Sequence, residues 1–194
     1  MKKILTLFLL FTYSFITPKT SQAQSTDSAT MMKMWMDYMT PGNFHKMLAK
    51  SNGTWTEEAT FWMDPGAPPS TSILTAENKM IMGGRYQQSN VSGNVNGMPF
   101  EGMSTVGYDN AKKKFISTWV DNMGTGVMYM EGNYNPAMKN ITFLGKMVDP
   151  ATGKENNVRE VFTMIDDNTQ MIAMYDTRDG KEFKSMELKM KRKL

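Results

Sequence analysis

Residues 139–165 read KNITFLGKMVDPATGKENNVREVFTMI, and this stretch contains two alternating segments separated by a cluster of turn-forming residues. Apolar residues share one face of each segment, as they do in half-buried β-strands: Ile141, Phe143 and Met147 in the first, and Val158, Phe162 and Met164 in the second. Asp149-Pro150 and Gly153, which lie between the segments, are typical of a tight connection. The stretch therefore predicts two neighbouring antiparallel strands.

The same organisation extends from Gly53 to the end of the chain. Clusters rich in Gly, Pro, Asn and Asp divide this region into about ten segments of strand length: 53–63, 70–82, 85–92, 99–108, 113–121, 127–134, 139–148, 156–165, 169–176 and 182–192. An open sheet of ten strands would leave two unpaired edges, and closing the sheet removes both. We therefore expect an all-β fold: a closed antiparallel up-and-down barrel of about ten strands, wide enough to enclose a cavity.

The N-terminus has the features of an export signal. Lys2 and Lys3 precede an apolar run of 13 residues, 4–16. This run is shorter than the ~20 residues that a membrane-spanning helix needs. Small residues at Ser21 and Ala23 match the positions that a signal peptidase reads. We expect cleavage after Ala23 and export to the periplasm or the extracellular space, and the mature chain has no second apolar run that could span a membrane.

Three regions follow from these patterns. Residues 1–23 are the expected signal peptide, and 24–42 are a polar leader followed by a short helix over 31–39. Residues 43–194 are expected to form a single β-barrel domain. Its first residues, 43–50, have the apolar spacing of a second short helix, which completes a short helical segment before the barrel.

Composition excludes several classes of function. The 194-residue chain has 22 Lys and Arg against 19 Asp and Glu, and three of the lysines lie in the expected signal peptide, which leaves a mature chain without net charge. Such a chain lacks the basic footprint of a nucleic-acid-binding protein. With no Cys and a single His, it has no thiolate or multi-histidine metal site, and we expect neither a metal nor a cofactor.

Methionine is unusually abundant, with 22 Met against nine Leu. One interpretation is a Cu(I) site built from the thioethers of the N-terminal cluster, Met31, Met32, Met34, Met36 and Met39. The other is that Met replaces Leu as the general apolar residue, and the spread of Met through the predicted strands favours it.

For each candidate catalytic group, we prefer a structural role to a catalytic one. The one histidine, His45, precedes the barrel and has no Cys or second His as a partner, so a structural hydrogen bond is expected. The carboxylates Asp109, Asp121, Asp149 and Asp176 fall at or near predicted strand ends, where Asp favours turns. No catalytic residue is assigned.

Five polar-tipped side chains on the predicted strands are candidates for lining the cavity and binding a ligand: Arg85, Tyr108, Trp119, Arg159 and Tyr175. A half-buried Arg needs an anion or a network of acceptors. These residues therefore favour a small apolar or amphipathic ligand, with an acidic group to meet the guanidinium.

Several motifs occur in an order that carries a family resemblance: Gly53-Thr54-Trp55 after a helix, Gly83-Gly84-Arg85-Tyr86, Gly97-Met98-Pro99-Phe100-Glu101-Gly102, Gly107-Tyr108-Asp109, and the run from Trp119 to Gly126. With Gly132, Asp149-Pro150 and Gly153, they make residues 43–193 resemble the bacterial family of domains of unknown function numbered 1579. The resemblance implies no activity.

A looser resemblance is to the calycin superfamily, the lipocalin-like β-barrels that hold ligands. In those barrels a Gly-x-Trp motif opens the first strand and an Arg near the last strand packs across the Trp. The matching positions are Gly53, Trp55 and Arg192, which the resemblance makes structural. Nitrobindin-type barrels share this opening and bind haem through a late His, which this sequence lacks.

These observations favour a secreted or periplasmic barrel that binds a small, largely apolar ligand in its interior. Two alternatives stay open: a metal-independent enzyme on the same barrel that uses Asp and Tyr residues, and a structural envelope protein whose barrel is filled. The sequence leaves the ligand and the oligomeric state undetermined.

The export signal makes a direct prediction about processing. Because the positive N-terminus, the apolar run and Ser21-x-Ala23 are those of a cleaved signal, the protein recovered after export should begin at Gln24. N-terminal sequencing checks this. Folded protein that retains Met1 would contradict both the cleavage and the export.

Overall fold

A computed structural model describes residues 27–150, 152–178 and 180–193; the expected signal peptide lies outside these residues. Two helices, α1 (Ser28–Met39) and α2 (Asn43–Ala49), precede ten strands. The strands are β1 (Gly53–Phe61), β2 (Ser70–Ile81), β3 (Tyr86–Val95), β4 (Met98–Asp109), β5 (Lys114–Asp121), β6 (Met128–Asn135), β7 (Asn140–Val148), β8 (Glu155–Asp166), β9 (Thr169–Arg178) and β10 (Lys181–Arg192).

The ten strands form a closed barrel in which every strand pairs with its neighbours in sequence and β10 pairs with β1. All the pairings are antiparallel, so the chain runs up and down around the barrel. The closing ladder runs from Trp55 opposite Arg192 to Phe61 opposite Met186. The predicted fold class is confirmed, and each predicted segment coincides with one strand.

Helix α2 closes one end of the barrel, which we call the closed end. Phe44 contacts the rings of Tyr108, Phe115 and Tyr134 at centroid distances of 4.5, 5.2 and 5.9 Å, and Leu48 is buried. Across the barrel, Gln170 at the start of β9 donates to the Ser51 hydroxyl at 2.7 Å. Contacts from opposite sides of the ring hold α2 over the barrel axis.

The closing strands are fastened at the same end by Trp55 and Arg192. Trp55 is fully buried, its indole N–H donates to the Ser51 carbonyl at 2.9 Å, and the Arg192 guanidinium carbon lies 4.3 Å from the centre of its ring. The guanidinium also donates to the carbonyls of Asn52, Lys50 and Asp167. One side chain thus joins the chain before β1, the β8–β9 connection and the last strand, as the calycin resemblance implies.

Methionine has two different environments. In the strands it packs the interior, where Met130 and Met190 are 1% and 4% exposed. Helix α1 has no buried residue, and its Met32, Met34 and Met36 are all more than half exposed. Packing therefore accounts for the strand methionines and leaves those of α1 unexplained. None of the helices in the described part of the chain has the length and apolar character needed to cross a bilayer.

The closure is tested by truncating its two side chains. Trp55→Ala removes a fully buried indole and should lower the free energy of unfolding by about 3–5 kcal/mol. Arg192→Ala removes a cation–π contact and several hydrogen bonds, and should cost about 2 kcal/mol. Denaturant melts provide the measurement.

The matched control is Lys191→Ala, because Lys191 is exposed on the outer face of the same strand. Its cost should stay within about 0.5 kcal/mol. Equal, negligible losses at Arg192 and Lys191 would show that Arg192 does not fasten the closing ladder.

Candidate functional site

The register of the strands determines which side chains face the interior, since residues directly opposite each other in an antiparallel pair share a face. Glu160 of β8 lies opposite Phe143 of β7 and Met174 of β9. Phe143 is a buried core residue and Met174 packs against the core. Glu160 therefore points into the barrel.

Asp176 of β9 also points inward, because it lies opposite the buried Val158. It is a diagonal neighbour of Glu160, a relationship that places the two Cα atoms roughly 7–8 Å apart. The expected turn role of Asp176 is therefore wrong. Strand β9 continues to Arg178, two residues beyond its predicted end, and carries Asp176 into the interior.

Glu57 is a third interior carboxylate, on the other side of the closing strand. It lies opposite Leu74 of β2 and Met190 of β10, both core residues, and it is only 3% exposed. In the part of the chain that the structure describes, neither Glu57 nor Glu160 has a hydrogen bond or an ion pair.

Burial changes the acidity of these three groups. Desolvation raises the pKa of Glu57 to about 7 and that of Glu160 to about 7. It also raises the pKa of Asp176, against the opposing effect of a hydrogen bond from Ser185. By contrast, hydrogen bonds from Lys112, Lys114 and Tyr129 lower the pKa of Glu131, on the outer surface, to about 2.

Some inward-facing side chains are incompletely buried. Glu160, Phe162 and Met164 share the inward face of β8, yet each keeps intermediate exposure. An inward side chain of a closed barrel can meet solvent only through the lumen or its mouth. The rim opposite α2, which we call the open end, carries partly buried apolar side chains: Phe61, Val95, Phe100, Trp119 and Met128.

Three of the five predicted ligand-binding residues lie near the interior or its closed end. The structure brings Arg85 and Tyr108 together, in the lining of a groove outside the lumen, but not Trp119. Tyr108 faces inward beside α2, with its ring 5.0 Å from that of Phe115. Trp119 faces inward near the open end, stacks on Phe100 and donates its indole N–H to Asp121 at 2.6 Å. Arg85 is exposed in the β2–β3 turn, where it donates to the Met82 carbonyl at 3.0 Å.

The other two, Arg159 and Tyr175, lie opposite each other on the outer face of the barrel. The Arg159 guanidinium carbon lies 3.9 Å from the centre of the Tyr175 ring, and its nitrogens donate to Glu182 at 2.8 and 2.6 Å. This ion pair raises the pKa of Arg159. The guanidinium thus meets its anion within the protein, outside the lumen.

His45 and two of the aspartates have the structural roles expected of them. His45 is 5% exposed, and its Nδ1 accepts a hydrogen bond from the Gly42 N–H at 3.0 Å, which caps α2. Desolvation lowers the pKa of His45. Asp109 and Asp121 accept backbone N–H groups two residues further on, at 2.8 and 2.9 Å, as turn aspartates do.

A groove of about 370 Å³ lies outside the lumen, between the end of α1 and the outer faces of neighbouring strands. Tyr38, Arg85, Tyr86 and Tyr129 contribute to its lining. Among the described residues, His, Asp and Glu side chains form no group of three that could hold a metal ion.

The sequence does contain a signal for the interior carboxylates, which is their phase with the apolar residues of the strand. Side-chain type alone does not reveal it. Glu160 lies between Val158 and Phe162 in the alternation that predicts β8, so it is in phase with the apolar face. Glu57 is in phase with Trp55 in the same way. Arg159 is one residue out of phase with that face.

The fold and the site define the class: an up-and-down antiparallel barrel, closed at one end by a helix, with carboxylates inside. Residues 40–192 match the model of a family described as a protein of unknown function (DUF1579), and the chain belongs to this family. A search of curated proteins finds no match.

The buried carboxylate of Glu57 gives the stability a definite pH dependence. A carboxyl whose pKa is higher in the folded chain binds its proton more tightly there, so the free energy of unfolding falls as the pH rises from 4.5 to about 7. Glu57→Gln removes this loss. Relative to the unmodified protein, the variant should gain about 2–3 kcal/mol between about pH 5 and about pH 8.

Denaturant melts at the two pH values measure this gain, and the cost of burying an amide cancels because it is the same at both. Glu58→Gln is the control, since Glu58 is exposed on the outer face of the same strand. A Glu57→Gln effect that is the same at both pH values would show that Glu57 carries an ordinary pKa.

Proposed function

We propose that this protein is exported and binds a small, largely apolar molecule in the interior of its barrel. The observation that carries the proposal is the partial exposure of Glu160, Phe162 and Met164 on the inward face of β8. A barrel packed solid would bury these side chains as completely as it buries Phe115 and Phe143.

The lining supports an apolar ligand that enters from one direction. Helix α2 fills the closed end, while Phe61, Phe100 and Trp119 surround the open end with partly exposed aromatic surface. Aromatic and thioether side chains offer large contact areas and adapt to ligands of different shape. Entry past the aromatic rim would transfer the apolar ligand from water into this lining.

The enzymatic alternative is supported by one observation, the diagonal pair of Glu160 and Asp176 with raised pKa values. Two carboxyls in such surroundings can act as an acid and a base. Catalysis would require the two carboxyls to be positioned against a substrate, whereas binding requires only an apolar lining. We therefore retain binding as the proposed function.

The test measures, by titration calorimetry, the binding of straight-chain primary alcohols from hexanol to hexadecanol. One or more of them should bind with a stoichiometry of one to the unmodified protein. Ser104→Phe should weaken binding by about tenfold or more, because Ser104 lies opposite the inward-facing Trp119 and a phenyl group there fills the lumen.

Thr105→Phe is the matched control, since Thr105 faces outward on the same strand, and it should bind as the unmodified protein does. Circular dichroism establishes that both variants are folded. Absence of binding by every alcohol, or equal binding by the two variants, would contradict a ligand site in the lumen.

A further inference from the structure

The unsatisfied polar atoms inside the barrel are all hydrogen-bond acceptors. Within the described residues, the buried side-chain atoms without a partner are Asn78 Oδ1, Gln170 Oε1 and Asp176 Oδ1. Gln170 and Asn78 are 3% and 8% exposed, so these oxygens are withdrawn from bulk water. The carboxylates of Glu57 and Glu160 add further acceptors without donors. A buried acceptor left unpaired costs about 1–3 kcal/mol.

These acceptors lie on one side of the barrel and extend from its closed end toward its open end. Gln170, Met190 and Glu57 lie opposite one another across β9, β10 and β1, so they form a single inward-facing row. Glu160 lies on β8, the other neighbour of β9, with Asp176 on its diagonal. Asn78 follows on β2, the strand beside β1. The acceptors therefore line the lumen from four strands, β8, β9, β1 and β2, and the apolar Met190 of β10 lies between them. Gln170 and Asp176 are six residues apart on β9, roughly 20 Å along the strand, so a single head group can meet the Glu160–Asp176 pair but not Gln170 as well.

The middle of the interior has no cation to match these groups. At the open rim, the exposed Lys181 lies diagonal to Asp176. Between the two rims of the described barrel, the strands carry no Lys or Arg on their inward faces. The other titratable or charged groups that face the interior lie at its ends: Arg192, His45, Tyr108 and Tyr134 at the closed end, and Asp121, Arg178 and Lys181 at the open rim. Arg192 is engaged by backbone carbonyls, and Arg178 by Asp64.

Taken with the proposed function, on which it rests, this arrangement names a ligand class. We propose that the lumen binds an apolar molecule carrying a primary ammonium group, which donates to the carboxylates of Glu160 and Asp176. An ammonium group has three donors and no acceptor, which complements the unpaired acceptors of the interior. Its charge balances carboxylates that would otherwise lie unpaired in an apolar environment. An acidic ligand, which Arg85 and Arg159 favoured, would face like charge inside.

The test compares dodecylamine, dodecanol and dodecanoic acid, which share one chain and differ in the head group. With the unmodified protein at about pH 8, the amine should bind at least roughly tenfold more tightly than the alcohol, and the acid more weakly than either. Lowering the pH to about 5 protonates Glu57 and Glu160 and should weaken the preference for the amine. Each measurement is made below the micelle-forming concentration.

The variant Glu160→Gln/Asp176→Asn removes two interior charges and should abolish the preference at about pH 8, so that the amine binds no more tightly than the alcohol. Because it relieves buried charge, it should remain folded. The control Glu58→Gln/Glu77→Gln removes two exposed charges on the outer face of β1 and β2, and should keep the preference.

Equal binding of the amine and the alcohol would overturn the ammonium proposal and leave the apolar lumen standing. Tightest binding of the acid, or a preference for the amine that the outer-face control also loses, would overturn it as well. Failure of all three compounds to bind would overturn the proposed function together with this inference.

Discussion

The ladder between β1 and β10 is the constraint on which the rest of the molecule depends. It gives the ten-stranded sheet an inside, into which every second side chain of every strand must point. Trp55 and Arg192 fasten it, and the guanidinium of Arg192 reaches three connecting carbonyls that no apolar side chain could satisfy. Without this ladder, two exposed edges would replace the enclosed space.

Because the barrel is closed, burying carboxylates in its interior lowers the stability of the fold. This loss of stability points to a function for them. Glu57 and Glu160 lie in phase with core residues. An apolar side chain of similar size at either position would make the folded barrel more stable. Surface acids such as Glu131 instead find lysine partners and keep a low pKa. Unpaired charge at positions that the fold alone would fill with apolar residues is typical of a site that trades stability for binding.

The fold was predictable because its two signals are local. Alternation shows which residues share a face, and Gly, Pro and Asn clusters show where each strand ends, so all ten strands emerged from the sequence. The pairing of Trp55 with Arg192 came from resemblance and agrees with the register.

The site was less predictable, because it depends on what each side chain meets across the barrel. Arg159 has the chemistry of a ligand-binding residue, yet its anion is Glu182, 23 residues further on. Arg159 and Glu160 are neighbours on β8, and the alternation of the strand places Arg159 on the outer face and Glu160 on the inner face. The absence of an inward cation between the two rims depends on all the strands at once, and only the closed structure shows it for the residues it describes.

The proposed site depends on carboxylates that lie unpaired and largely buried inside a closed barrel. The most direct measurement is a ¹³C NMR titration of the side-chain carboxyl carbons in the ligand-free protein. Glu57 and Glu160 should titrate with pKa values of about 7, while Glu131 titrates at about 2. Values for Glu57 and Glu160 at the ordinary 4.5 would place both groups in water or beside a cation and would contradict the account.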